Sequence, residues 1–239
     1  MAAYQRGDYA TALKFLRPLA EQGNPKAQHS LGYIYAGVEG VPEDNGEAAK
    51  WYCIAAKQGD ADAQNEIGVM YAAGRHVPHD DAEAVKWFRV AAEQGHAEAQ
   101  YNLGQMNREG RGVPQDDAEA VKLYRKAAEQ GDADAQNELG VMHAAGRGVP
   151  QDIAEAANWF RKATEQRHVG AQTNLGLMYY VGEGVPQDLV QAHMWFNIAD
   201  ALGDESAQEE RGVTASLLTR DQIFEAQRMA REWMAKHQR

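Results

Sequence analysis

One pattern of apolar, small and polar positions returns along this chain at helix length. In 132–146, DADAQNELGVMHAAG, the apolar and small residues Ala135, Leu139 and Met142 recur at helical spacing. In 116–130, DDAEAVKLYRKAAEQ, residues Ala120, Leu123, Tyr124 and Ala127 form one face, and Glu119, Lys122 and Lys126 form the other. Each unit therefore reads as two short helices, A then B. Neither would hold in water alone, so their stability comes from stacking on neighbours.

The period is 36 residues: the dipeptide Ala-Gln begins at Ala27, Ala63, Ala99, Ala135, Ala171 and Ala207. A glycine follows each alanine at Gly32, Gly68, Gly104, Gly140, Gly176 and Gly212. A large apolar residue recurs at Trp51, Trp87, Leu123, Trp159 and Trp195, with Tyr52, Phe88, Tyr124, Phe160 and Phe196 beside it. The expected organisation is a truncated first repeat as N-terminal capping helix (1–24), five full repeats (25–204) and a divergent C-terminal capping pair (205–239). In the cap, Thr219 and Gln222 read as a capping box opening a helix over 220–236, with Ile223, Ala226, Met229, Ala230 and Trp233 on its inner face. Pro18 falls inside the first helix, where a kink is tolerable at the end of an array.

The motif GVPQD at 112–116, 148–152 and 184–188 has a mechanical reading. Its glycine turns the chain, its proline stops helix A, and its aspartate caps helix B. A Glu or Gln three residues after that aspartate predicts reciprocal capping boxes: Asp44/Glu47, Asp80/Glu83, Asp116/Glu119, Asp152/Glu155 and Asp188/Gln191. Helix B ends at Gly23, Gly59, Gly95, Gly131 and Gly203; Arg167 breaks this series and predicts strain there. Helix A follows Asn24, Asp60, Asp132 and Asp204, but His96 and His168 in the remaining repeats.

The run A-Q-x-x-L-G-x-M-Y-x-x-G-x-G-V-P-x-D, followed by A-x-x-W-F-x-x-A-A-E-x-G, resembles the Sel1-like repeat, a relative of the tetratricopeptide repeat. The resemblance implies an all-α fold: a right-handed superhelical α-solenoid of antiparallel helix pairs. It also implies a bacterial adaptor that gathers other proteins, in a family whose members are often periplasmic or secreted. A cysteine-rich branch includes β-lactamase-like proteins with a cysteine pair in each repeat. This chain has one cysteine, Cys53. A cell-envelope protein binding β-lactams or peptidoglycan fragments is accordingly the disfavoured alternative.

Composition narrows the partners. The net charge is −11, against nucleic acid and anionic lipid. No apolar run reaches the length of a membrane span, and MAAYQRGDY lacks the regions of a signal peptide. That leaves a cytoplasmic protein or one whose targeting segment has been removed. Cys53 occupies the place held elsewhere by Arg17, Arg89, Arg125 and Arg161, an exposed or rim site, and reads as a plain, partly buried thiol. His76 and His79 in HVPH lack a completing ligand set, and no nucleophile accompanies His143, so no metal, cofactor or catalytic residue is expected. The reading is a monomeric, non-enzymatic scaffold binding a protein or peptide on its helix-A surface. The candidate contact residues are Asn65, Val69, Tyr101, Gln105, Arg108, Asn137, Val141, His143, Thr173, Leu177 and Tyr180. Asn107 joins Tyr101, Gln105, Arg108 and His143 in an expected polar patch where the repeat departs most from its pattern.

Overall fold

The computed structural model describes residues 6–237 except 39 and 76, and places thirteen α-helices and no strand among them. They are α1 (Tyr9–Glu21), α2 (Pro25–Tyr35), α3 (Asn45–Lys57), α4 (Ala61–Ala73), α5 (Asp81–Glu93), α6 (Ala97–Glu109), α7 (Asp117–Glu129), α8 (Ala133–Ala145), α9 (Ile153–Glu165), α10 (Val169–Val181), α11 (Leu189–Ala201), α12 (Glu205–Leu217) and α13 (Arg220–Lys236). The chain forms two compact units, Met1–Asp116 with α1–α6 and Asp117–Arg239 with α7–α13. Within each unit, helices adjacent in sequence pack on one another as far as α12, and α13 closes onto α11. His76 and the first five residues, including any stub of helix A, lie outside the described residues.

Small residues on helix A admit rings from helix B. A Cβ added at Gly32, Gly68, Gly140 or Gly176 would lie 2.5–2.7 Å from the ring of Tyr52, Phe88, Phe160 or Phe196 respectively. The tryptophans join neighbouring repeats: Trp51 clusters with Leu16 of the preceding helix and with Leu31 and Ile34 of its own repeat, and Trp195 with Phe160 of the preceding repeat and Leu175 of its own. Phe15, at the matching position of α1, has no described repeat before it and is 63% exposed. Helix α1 runs on through Pro18.

The Ala-Gln step has a role that periodicity did not reveal. The buried amides of Gln28, Gln64, Gln100 and Gln136 donate from Nε2 to the carbonyls of Ala20, Ala56, Ala92 and Ala128 at the end of the preceding helix B. Gln28, Gln64 and Gln136 also accept through Oε1 from Gln58, Gln94 and Gln166 at the end of the next helix B. Each such glutamine ties three helices together and satisfies a C-terminal carbonyl left orphan by helix geometry.

The capping boxes are only half formed. Asp44, Asp80 and Asp152 accept from the amides of Glu47, Glu83 and Glu155, and Asp188 accepts from Gln191. The return bond is replaced. The N–H groups of Asp44, Asp80, Asp116, Asp152 and Asp188 donate to the carbonyls of Tyr35, Tyr71, Asn107, His143 and Tyr179 on helix A. The freed carboxylates pair instead with Lys50, Lys86 and, for Glu119, Lys122. Thr219/Gln222 forms the complete box. His96 and His168 are working caps: each Nδ1 accepts from the amide three residues on, Ala99 or Ala171.

The motif glycines carry two demands. Gly112 has φ 67°, and a Cβ there would meet the carbonyl oxygen of Asp81 at 2.3 Å; Gly148 stands likewise against Asp117 at 2.2 Å. Beside them Arg111 and Arg147 hold Asp81 and Asp117, at 2.7 and 3.3 Å. Arg167 is the non-glycine residue with positive φ (65°) among the described residues, as its place in the glycine series predicted, and its guanidinium reaches the carbonyl of His237.

Candidate functional site

Successive A helices leave a shallow cleft between them in each unit. In the first unit, α4 and α6 contribute Val69, Ala72, Gln105 and Met106, with Phe88 and Arg111, around about 210 Å³. In the second, α8 and α10 contribute Ala144, Leu177 and Met178, with Phe160 and Glu183, around about 190 Å³. These are equivalent places two repeats apart: Phe160 stands for Phe88, Leu177 for Gln105 and Glu183 for Arg111. The rings that lock onto Gly68 and Gly140 also line the clefts. The repeat thus keeps the shape, while the matched positions change from glutamine and arginine to leucine and glutamate.

Arg111 is fixed in its cleft. Its Nη2 donates to Asp81 Oδ1 at 2.7 Å and to the Ala72 carbonyl at 3.0 Å, and Asp81 raises its pKa, keeping the charge in place. Tyr101 and Gln105 are half-buried, and Gln105 Nε2 donates to the tyrosine hydroxyl. Arg108 pairs with Glu109 at 3.1 Å. Val69, Val141, Leu177 and Tyr180 are half-buried. Of the expected contact residues, Val69 and Gln105 share the first cleft and Leu177 lines the second.

Four expected surface residues face inward. Asn65 is 1% exposed, and its Oδ1 accepts from Asn102 at 2.9 Å; Asn137 repeats the arrangement with Asn174 at 3.1 Å. Thr173 is buried and donates to Asp204. His143 is buried, and Nη2 of Arg125 donates to its Nε2 at 3.2 Å. Arg125 donating to Nε2 leaves Nδ1 as the protonated nitrogen of the neutral ring, and burial, then the Arg125 charge, push its pKa down. The expected polar patch also loses Asn107, which is buried and donates to the Leu103 carbonyl at 2.8 Å. The signal available for the asparagines was their pairing with a second asparagine 37 residues on.

Cys53 is half-buried, as expected of a plain thiol, and opens onto a cavity of about 400 Å³ with Ile67, Tyr71, Val77 and Trp87. Its origin is the broken arginine series. Arg17 bonds the hydroxyl of Tyr35, and Arg125 bonds His143, each 18 residues on. Tyr71 stands in the same relation to Cys53, but the thiol is too short to reach across. Among the described residues one trio has metal-ligand character, His29, Asp60 and Asp62, and it shares no residue with either cleft. His79 lies 3.2 Å from Asp81 instead. No described helix is long and apolar enough to cross a membrane.

Residues 3–24, 25–60, 61–96, 97–132, 133–168 and 169–204 each match the sequence model of the Sel1 repeat. Among solved structures, a protective antigen present in uropathogenic Escherichia coli strains, displaying an SLR fold, has TM-score 0.88 and 36% identity over 93% of this chain and 48% of its own. A Sel1 repeat protein from Oxalobacter formigenes has TM-score 0.75 and 36% identity, over 82% of this chain and 57% of its own. The immunity protein Pa5087 from Pseudomonas aeruginosa, at 18% identity and TM-score 0.53 over 89% of this chain and 83% of its own, shares the fold alone. The chain spans about half the length of the first two. No curated protein matches it. Nothing in these comparisons supports the β-lactamase-like or peptidoglycan-binding alternative.

Proposed function

We propose that this chain, which belongs to the Sel1 repeat family, is a non-enzymatic scaffold that holds a partner protein segment along its A helices. Sel1 repeats mediate protein–protein interaction, and the partner here is a matter of which side chains line the clefts. The observation that carries the reading is the recurrence of one cleft in both units with a different polar lining in each. A repeated shape with varied chemistry suits an extended segment read at several points, with pockets for alternate side chains. An enzyme instead concentrates its chemistry in one pocket. The contact set is Val69, Tyr101, Gln105 and Arg108 in the first unit and Val141, Leu177 and Tyr180 in the second. Asn65, Asn137, Thr173 and His143 support the helices behind that surface.

The test is affinity capture from bacterial lysate and envelope fractions with the native chain and with a variant carrying Tyr101→Ala, Gln105→Ala, Leu177→Ala and Tyr180→Ala. Partners retained by the native chain are expected to be lost from the variant, with its helical circular dichroism unchanged. Equal capture by both would remove the helix-A surface as the binding face.

A further inference from the structure

The trio His29, Asp60 and Asp62 has no equivalent at the other junctions that can be compared within one unit. His29 lies on α2, Asp60 caps α4, and Asp62 sits in the first turn of α4. One ring nitrogen and two carboxylate oxygens come within 4.8 Å of one another. The matched positions hold Asn65, His96 and Glu98 one repeat on, then Asn137, His168 and Gly170, then Thr173, Asp204 and Ser206. None of these sets combines an imidazole at the first position with two carboxylates. In the last of them, Thr173 bonds Asp204 directly and closes the gap.

The three groups are held in place by other partners, and each keeps a free ligand atom. Asp60 Oδ1 accepts from the Ala63 amide at 2.9 Å. Asp62 Oδ1 lies 3.1 Å from His96 Nε2, whose ring is itself fixed because Nδ1 accepts from Ala99. That bond makes Nε2 the protonated, donating nitrogen. The second oxygen of each carboxylate is left uncommitted. The His29 ring rests tilted at 44° on Tyr52, centroids 5.6 Å apart, and forms no hydrogen bond or ion pair with either aspartate. Carboxylates anchored through one oxygen, and an imidazole oriented by packing, are the arrangement that outer partners give to metal ligands.

The surroundings favour a cation. Glu66 lies one turn beyond Asp62, and its pKa is raised by burial first and then by the charge of Glu98, with Asp62 adding to the crowding and His96 opposing it. Asp62, Glu66 and Glu98 thus crowd negative charge beside the trio. We propose that His29, Asp60 and Asp62 bind a divalent transition-metal ion of the zinc type, through one nitrogen and two oxygens. Bond lengths of about 2.0–2.2 Å to such a metal bring tetrahedral ligands to roughly 3.4 Å apart, which small side-chain rotations from the present spacing achieve. The imidazole selects zinc over magnesium, which takes oxygen ligands and sheds water reluctantly. The remaining coordination position is left for water.

The experiment is calorimetric titration of the metal-stripped full chain with zinc chloride, paired with thermal melting. The expected result is one zinc per chain and a raised melting temperature. His29→Ala and Asp62→Asn should each weaken binding by at least about tenfold, a loss seen even for outer partners of a metal. Neither residue caps a helix, and circular dichroism checks that both variants fold. His79→Ala, outside the trio, should bind as the native chain does. Absence of a saturable site, equal binding by native chain and both trio variants, or equal affinity for magnesium would each overturn the proposal.

Discussion

The ring of Phe88 lies against Gly68 so closely that a methyl group on the glycine would meet Cε1 at 2.5 Å. The contact explains a glycine in the middle of α4, where helix propensity alone disfavours it by about 1 kcal/mol. Gly68→Ala is expected to destabilise the chain by roughly 1–3 kcal/mol through overpacking, read as a lower urea midpoint at unchanged slope. At Gly212, the same repeat position in α12, an added Cβ would meet nothing within 4 Å, and φ is not positive. Gly212→Ala should therefore stabilise by roughly 0.5–1 kcal/mol. A loss at Gly212, or none at Gly68, would contradict the ring-on-glycine account.

Gln172 is the glutamine ladder's unfinished rung. It is 0% exposed, and neither its Nε2 nor its Oε1 has a hydrogen-bond partner. At the next helix-B end, Leu202 stands where Gln58, Gln94 and Gln166 stand in earlier repeats. A buried unpaired amide costs roughly 1–3 kcal/mol. Leu202→Gln should recover part of that by donating to Gln172, and Gln172→Met should recover it by removing the polar group. Both changes are expected to raise the melting temperature, while Gln136→Met, which breaks a complete rung, should lower it.

The repeat period, the helix pairs, the closing helix at 220–236 and the strained Arg167 were all legible in the sequence, because each is a local rule applied many times. What stayed hidden was the direction of individual polar side chains. Asn65 and Asn137 have the residue type of a binding surface, yet each faces an asparagine on the next A helix. Composition does not distinguish an amide meeting water from an amide meeting another amide. The capping boxes failed in their second half for a related reason. A carbonyl of helix A, remote in pattern but near in space, reaches the cap amide before the glutamate does. The cleft residues Gln105 and Leu177 were named from position alone, but the cleft each lines needed the ring of Phe88 or Phe160 in place.

The break at Cys53 was visible as a missing arginine, and its consequence is a cavity of about 400 Å³ facing Tyr71. Cys53→Arg is expected to reach the Tyr71 hydroxyl, as Arg17 reaches Tyr35. The gain should be about 0.5–1.5 kcal/mol, the net worth of one hydrogen bond. The complementary change, Arg125→Cys, should destabilise, because it leaves buried His143 without its partner at Nε2. Alkylation of Cys53 by a small maleimide gives a second readout: Trp87 walls the cavity, so the reaction should be slower in the native chain than in Trp87→Ala.

Two buried histidines set the pH dependence. His193 is 2% exposed and contacts Thr214 Oγ1 at 2.9 Å; burial, then the charge of Arg211, lower its pKa from 6.5. His143 is lowered likewise by burial and Arg125. In both cases the unfolded chain takes up a proton before the folded chain does. Their contribution is therefore complete above about pH 6.5 and declines as the pH falls below it, until the folded rings protonate too. Glu66 has the opposite sign, since its raised pKa lets the folded state bind a proton first and gain stability on acidification. Urea midpoints measured from about pH 7.5 down to about pH 5.5 should fall for the native chain. The fall should be shallower in His193→Gln and steeper in Glu66→Gln, and an unchanged slope in both variants would locate the titration elsewhere.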